Sequence, residues 1–152
     1  MLFGHSAGGA VIGVEEIVFP RAVVVNRWVD PVVDRFGFSV ADPYVELVWL
    51  PVIGPSATWM LRRLDAWLPE IESVIEIDLS ELGQMLGLGS STGAGSSVQR
   101  TMRRLVRFGL ADWRGMLRVR GAVPPLPGRQ LTRLPTWVQE AHAALIAGRV
   151  AA

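Results

Sequence analysis

The chain has no cysteine and no lysine. Without cysteine there is no disulfide framework, no thiolate nucleophile and no cysteine-bound zinc, so stability has to come from packing. Without lysine, a Walker-type phosphate loop, a Schiff-base centre and a lysine general base are all excluded. All fifteen basic residues are arginine. The abundance of Ala, Gly and Val beside them fits a GC-rich coding bias, so the missing lysine is not read as selection for arginine chemistry. Histidine is scarce too, and His5 and His142 are too isolated to suggest a metal site. Long apolar runs are also missing. The most apolar of the long uncharged stretches, Leu47 to Leu61, holds two prolines and a glycine and falls short of the roughly 18 to 20 residues a membrane span needs. Residues 1–14 are apolar but lack a basic start and run into Glu15-Glu16, unlike a secretory signal. The expectation is a cytoplasmic protein with no membrane span and no cofactor. The high apolar share leaves peripheral membrane association as a minor reading.

What is present is 152 residues, half of them apolar, enough to bury the core of one ordinary domain. The net charge of +1 hides a division along the chain. Residues 1–96 carry five arginines against twelve carboxylates, a net of −7; residues 97–152 carry ten arginines against Asp112 and Glu140, a net of +8. Such asymmetry points one end of a molecule at a polyanion and the other end away from it.

The positive half is organised around Ser97 to Arg120, SVQRTMRRLVRFGLADWRGMLRVR. At helical period, Arg100, Arg103, Arg104 and Arg107 fall at i, i+3, i+4 and i+7, while Val98, Met102 and Leu105 gather on the opposite side. Gly109 ends this helix. Leu110 to Trp113 and Met116 to Arg120 then make a hairpin around Arg114-Gly115, with Leu117 and Val119 on one face and Arg118 and Arg120 on the other.

Upstream, Ser73 to Ile77 alternates like a short strand. Asp78 and Glu81 have the spacing of a capping box, Leu79, Leu82 and Leu86 mark a buried helix face, and Gly87 is a left-handed stop. The Gly87 to Ser97 turn, GLGSSTGAGSS, reads as a long flexible connector whose Ser96 or Ser97 caps the arginine helix. Before the strand, Asp42-Pro43 opens a short helix, Tyr44 to Leu50, that Pro51 ends, and Gly54-Pro55-Ser56 restarts one whose Ala57, Met60, Leu61, Leu64, Trp67 and Leu68 form a core stripe. Residues 1–41 read as a poorly assignable extension, or the product of a start codon placed too far upstream. Within it, Ala22 to Val25 suggests a strand and Asn26 to Phe36 a helix interrupted at Pro31. Residues 124–152 read as a proline-rich connector and a closing amphipathic helix carrying Leu131, Leu134, Val138, Ala141 and Leu145.

The order strand, capped helix, turn, arginine helix, hairpin resembles the winged helix-turn-helix family of DNA-binding domains, over Ile75 to Arg120. IEIDLSELGQMLGL is similar to the family's strand and first helix, SSVQRTMRRLVRFGL to its recognition helix and LADWRGMLRVR to its wing. The turn is longer than the three or four residues of the tight motif, which leaves the angle between the helices open. The resemblance implies a mainly α fold with a small β-hairpin, a winged helix-turn-helix core over residues 42–123 and flanking helices. It also implies a bacterial transcriptional regulator that binds double-stranded DNA, with a homodimer as a further expectation because paired half-sites are common. Residues 97–109 would enter the major groove and residues 110–120 would lie on the backbone. Gln99, Arg100 and Arg103 would read base edges, and Arg104, Arg107, Arg118 and Arg120 would hold phosphates. Neutralising five or six phosphates would give log K against log salt a slope of about −5.

Two other classes compete. A winged-helix interaction module would dock an acidic partner with the same arginines, anchored by Trp113 and Trp137. An α/β-hydrolase-like fragment is the minor alternative, since Gly4-His5-Ser6-Ala7-Gly8 resembles a nucleophile elbow. An elbow needs a buried strand before it, where only Met1 to Phe3 precede, and a late histidine, for which only His142 exists; no enzyme is expected. Glu70, Glu72, Glu76 and Asp78 read as a solvated face beside a helix cap, and Trp49, Trp59 and Trp67 as core.

Overall fold

The computed structural model describes residues 5–7 and 10–151, and the side chains of residues 13–149. It opens with an antiparallel hairpin, β1 (His5–Ala7) and β2 (Ala10–Ile12), followed by one 3-10 turn at Val14–Glu16. Strand β3 (Ala22–Trp28) comes next. Pro31 does not interrupt a helix begun at Asn26; it opens α1 (Pro31–Phe36), whose cap is Asp30 accepting from the Val33 N–H at 3.3 Å. Asn26 to Trp28 stay extended because all three pair in register with residues 118–120. Strand β4 (Phe38–Ser39) follows α1.

Pro51 does not end its helix either. A π-helical turn at Val45–Trp49 leads directly into α2 (Leu50–Ala66), and the Leu50 N–H bonds Val45 O in the wider ladder. That wide turn accommodates a proline ring that would clash with a tight one. The real break lies three residues on, at Gly54, with φ 83° and ψ 165°, a region that is essentially glycine's alone. Carbonyls at the break are met by side chains: Thr58 Oγ1 donates to Gly54 O at 2.9 Å and Arg104 Nη1 to Ile53 O at 3.2 Å. Gly54→Ala is therefore expected to cost about 1–3 kcal/mol, read as a lower urea midpoint at unchanged slope. An unaltered midpoint would show that the break is not strained for an L-residue.

Strand β5 (Val74–Asp78) runs into α3 (Leu79–Met85), where Asp78 Oδ1 accepts from the Ser80 and Glu81 N–H groups at 2.8 and 3.2 Å. Gly87 turns left-handed (φ 72°) and the Leu88 N–H closes back on Gly83 O at 2.7 Å. Next come α4 (Ser97–Arg107), the hairpin of β6 (Ala111–Trp113) and β7 (Leu117–Arg120), and β8 (Ala122–Val123), which pairs with β4. A short α5 (Gly128–Leu131) and a long α6 (Thr136–Ala151) finish the chain.

The fold is thus largely helical with small sheets, but the principal sheet is more than a hairpin. It is four-stranded in the order β5-β3-β7-β6, with β3 antiparallel to β5 and parallel to β7. Residues 22–28, within the stretch read as a poorly assignable extension, supply its interior strand. Val23 and Val25 of β3 and Leu117 and Val119 of β7 are fully buried on one face, where α2 packs and Met102 and Leu105 of α4 join the same core. Trp49 is buried as expected and its Nε1 donates to Pro124 O at 2.9 Å; Trp59, expected in the core, is exposed on α2. The C-terminal connector is held by Tyr44, whose hydroxyl accepts from the Leu126 N–H and meets His142 Nδ1, both at 2.8 Å. Among the described residues no helix is long and apolar enough to cross a membrane.

Candidate nucleic-acid interface

Helix α4 buries Val98, Met102, Leu105 and Val106 and turns its arginines outward, as the helical period requires. Its candidate residues then take different roles. Gln99 points inward and is fully buried. It pairs with Phe19 like one rung of a β ladder: Oε1 accepts from the Phe19 N–H at 2.9 Å, Nε2 donates to Phe19 O at 2.7 Å, and Nε2 also reaches Thr92 O at 3.1 Å. A side chain so engaged cannot read a base edge. The assignment of Gln99 as a base reader is corrected: it is a structural amide that stitches residues 17–19 to α4.

The same segment covers one flank of the helix. Arg103 donates to Ile17 O at 3.1 Å and to Ala94 O at 2.8 Å, and Arg107 forms an ion pair with Glu15. Positions 99, 103 and 107 lie one turn apart, so residues 15–19 run along a single strip of α4. On the other flank stand Arg100 and Arg104, both exposed. Arg100 donates to Gly95 O and Ser97 Oγ at 3.1 and 3.3 Å, and Arg104 to Ile53 O. Among the described residues neither has a carboxylate within ion-pair distance.

The connector read as flexible is tied to both helices through its carbonyls. Ser80 Oγ takes Ser90 O, Gln99 takes Thr92 O, Arg103 takes Ala94 O and Arg100 takes Gly95 O. Carbonyls turned toward guanidinium groups make the loop a partner of α4, not a cradle for phosphate. The expected side-chain cap is absent, for Ser96 Oγ has no partner and Ser97 Oγ accepts from Arg100.

The hairpin arginines are ion-paired. Register places Arg118 and Arg120 of β7 on the sheet face away from the helices, beside Asn26 and Trp28 of β3 and opposite Asp112 of β6. Arg118 forks onto the buried Asp112 carboxylate, which also holds Arg114 at 3.3 Å. Arg120 is 11% exposed; it donates to Gly109 O at 2.7 Å and to Asp30 Oδ2 at 2.8 Å, and lies over the Trp28 ring at 3.8 Å. Arg118 and Arg120, expected as phosphate holders, thus stand in this structure in a carboxylate, guanidinium and indole cluster built on β3. They do not extend the positive surface of α4.

That cluster predicts an acid limit to stability. The Arg120 guanidinium, and then the Val33 N–H, hold the Asp30 carboxyl below its usual value; Arg21, and then the Glu81 N–H, do the same for Asp78. A depressed carboxylate adds stability above its unfolded value of about 4, and that contribution is lost as pH falls through the folded value. Urea midpoints are expected to fall steadily below about pH 4, and the fall should be shallower in Asp30→Asn. An identical slope in that variant would show that Asp30 is not linked to folding.

The remaining candidates do not gather into a second site. Gly4 and Gly8 of the elbow-like sequence lie outside the described residues, and Ser6 is a strand residue paired with Val11, not a strand-to-helix turn. Among the described residues no group of His, Asp and Glu has the arrangement of a metal site. Trp113 packs edge-on against Phe19 with centroids 5.0 Å apart, whereas Trp137 is 64% exposed. Comparison with protein-family models, characterised proteins and solved structures returns no match for this chain.

Proposed function

We propose that this chain is a DNA-binding protein of the winged helix-turn-helix kind, a bacterial, cytoplasmic transcriptional regulator that grips the duplex through the outward side of α4. The observation that carries this reading is the pair Arg100 and Arg104, one turn apart and exposed, without a carboxylate partner among the described residues. They stand on the second of two consecutive helices, α3 and α4, that a hairpin follows. With Gln99 buried and the hairpin cations paired, the contacts are weighted toward phosphates, and about three of them, from Arg100, Arg104 and Arg103, which engages only carbonyls, replace the five or six suggested by sequence. Fluorescence anisotropy with a short random duplex should give a log K against log salt slope of about −3, hence affinity about 60-fold weaker at 200 than at 50 mM salt. A slope near zero, or no binding at about 50 mM, would overturn the reading.

A second reading is favoured by the exposed Trp137: an interaction module that docks an acidic protein. Competition separates the two, because excess duplex displaces the partner only if the chain binds DNA. Selection of fragments from random duplexes then reports sequence reading, and symmetry in a recovered motif would indicate a homodimer.

A further inference from the structure

Where α2 breaks, a cleft of about 180 Å³ opens between it and α4, lined by Ser56, Leu88, Ser97, Arg100, Thr101 and Arg104. At about 30 Å³ per water it holds some six waters' worth of space, well under the 300 Å³ or more of a site for a drug-sized ligand. It therefore suits one small group, not a nucleoside. The chemistry inside has one sign: two guanidinium groups and three hydroxyls, with no carboxylate in the lining.

Each guanidinium carries five N–H donors. The bonds from Arg104 to Ile53 O and from Arg100 to Gly95 O and Ser97 Oγ hold the two groups in place. They engage only neutral oxygens, so the charge is left uncompensated and several donors remain open. Thr101 Oγ1 donates to Ser97 O at 2.8 Å, which keeps its oxygen directed along the helix wall. Ser56 stands in the first turn of the helix that restarts after Gly54, and such a turn adds a partial positive charge to the two full ones. Forked donors with fixed orientation match the oxygens of a tetrahedral oxyanion better than a single point charge would.

We propose that this cleft binds a phosphate group, held by the Arg100 and Arg104 forks. The phosphate has two sources, a nucleic-acid backbone or a free phosphorylated ligand. The first rests on the DNA reading above; the second does not.

The test is thermal unfolding of the full chain in inorganic phosphate against chloride at matched ionic strength, with duplex affinity measured on the same proteins. Phosphate at tenfold excess over its Kd is expected to raise Tm by about 3 °C in the wild type and in the control Arg129→Gln/Arg133→Gln, which removes equal charge elsewhere. In Arg100→Gln/Arg104→Gln the rise should vanish. Should that variant fold poorly by circular dichroism, Arg104→Lys keeps the charge without the fork and should still diminish the rise. Loss of duplex affinity together with the phosphate effect assigns the cleft to a backbone phosphate. Loss of the phosphate effect alone, with duplex binding unchanged or absent from the start, assigns it to a free ligand. A phosphate effect that is absent from the wild type, or equal in the cleft variant and the control, overturns the proposal, and the duplex measurement then judges the DNA reading separately.

Discussion

Gln99→Leu is expected to lower the unfolding free energy by about 3–5 kcal/mol, one of the two largest effects anticipated for a single substitution in this chain. The leucine fills nearly the same volume, so cavity formation contributes little. The loss is in hydrogen bonding. Phe19 is 2% exposed, and its N–H and C=O both lose their partner, as does Thr92 O. Each buried backbone group left unpaired costs about 1–3 kcal/mol. Gln99→Glu should be nearly as harmful, because it retains an acceptor for the Phe19 N–H but sets a carboxylate against two carbonyl oxygens. Urea unfolding followed by tryptophan fluorescence measures both, since Trp113 packs on Phe19. A cost below about 1 kcal/mol would mean that residues 17–19 are not secured to α4 by this amide.

Arg120→Ala should be comparably destabilising, at about 3 kcal/mol, while leaving duplex affinity of the folded protein unchanged within about twofold. The substitution deletes a charge-assisted bond to Asp30, worth roughly 1.5–3 kcal/mol, and a stacked contact with Trp28, worth roughly 1–2. It also strands the Gly109 carbonyl and leaves the Asp30 carboxylate, 27% exposed, without its counter-charge. Arg120→Lys should recover part of the loss, since an ammonium meets Asp30 but cannot fork to Gly109 O at the same time or stack as a plane. Stability and affinity have to be measured on the same protein. If stability holds and affinity falls severalfold, Arg120 is a phosphate contact after all and the cluster on β3 opens in the complex.

Much of the local structure was legible. The Asp78 cap, the Gly87 stop, the buried stripe of α4 and the alternation of β7 follow from rules that act within about four residues, and each appears where the pattern places it. Three features were not legible. Strand β3, AVVVNRW, was legible as a strand over Ala22 to Val25, but not its extension to Trp28 or its interior place, because its partners lie far along the chain, at residues 74–78 and 117–120. Nothing local marks it as an interior strand. Pro51 looked like a terminator because its missing N–H was weighed against a regular α ladder, and the π turn before it removed that conflict. Gln99 fell beside the arginines in sequence and was grouped with them. On the helix it lies on the buried side with Thr101 and Met102, and only the approach of Phe19 from eighty residues away makes a buried amide affordable.

The amino-acid sequence by itself determined the capped helix α3, the helix α4 that carries the cations, and that Arg118 and Arg120 share a face, because periodicity and capping are properties of neighbouring residues. Which of those cations stay available was decided by tertiary structure alone. β3 carries Trp28 beneath the hairpin, with Asp30 just beyond it, and residues 15–19 are laid along one flank of α4; Arg100 and Arg104 stay clear of any such carboxylate among the described residues. The physical reason is that an ion pair depends on distance through space, and the acidic half of the chain is brought against the basic half only when the sheet closes.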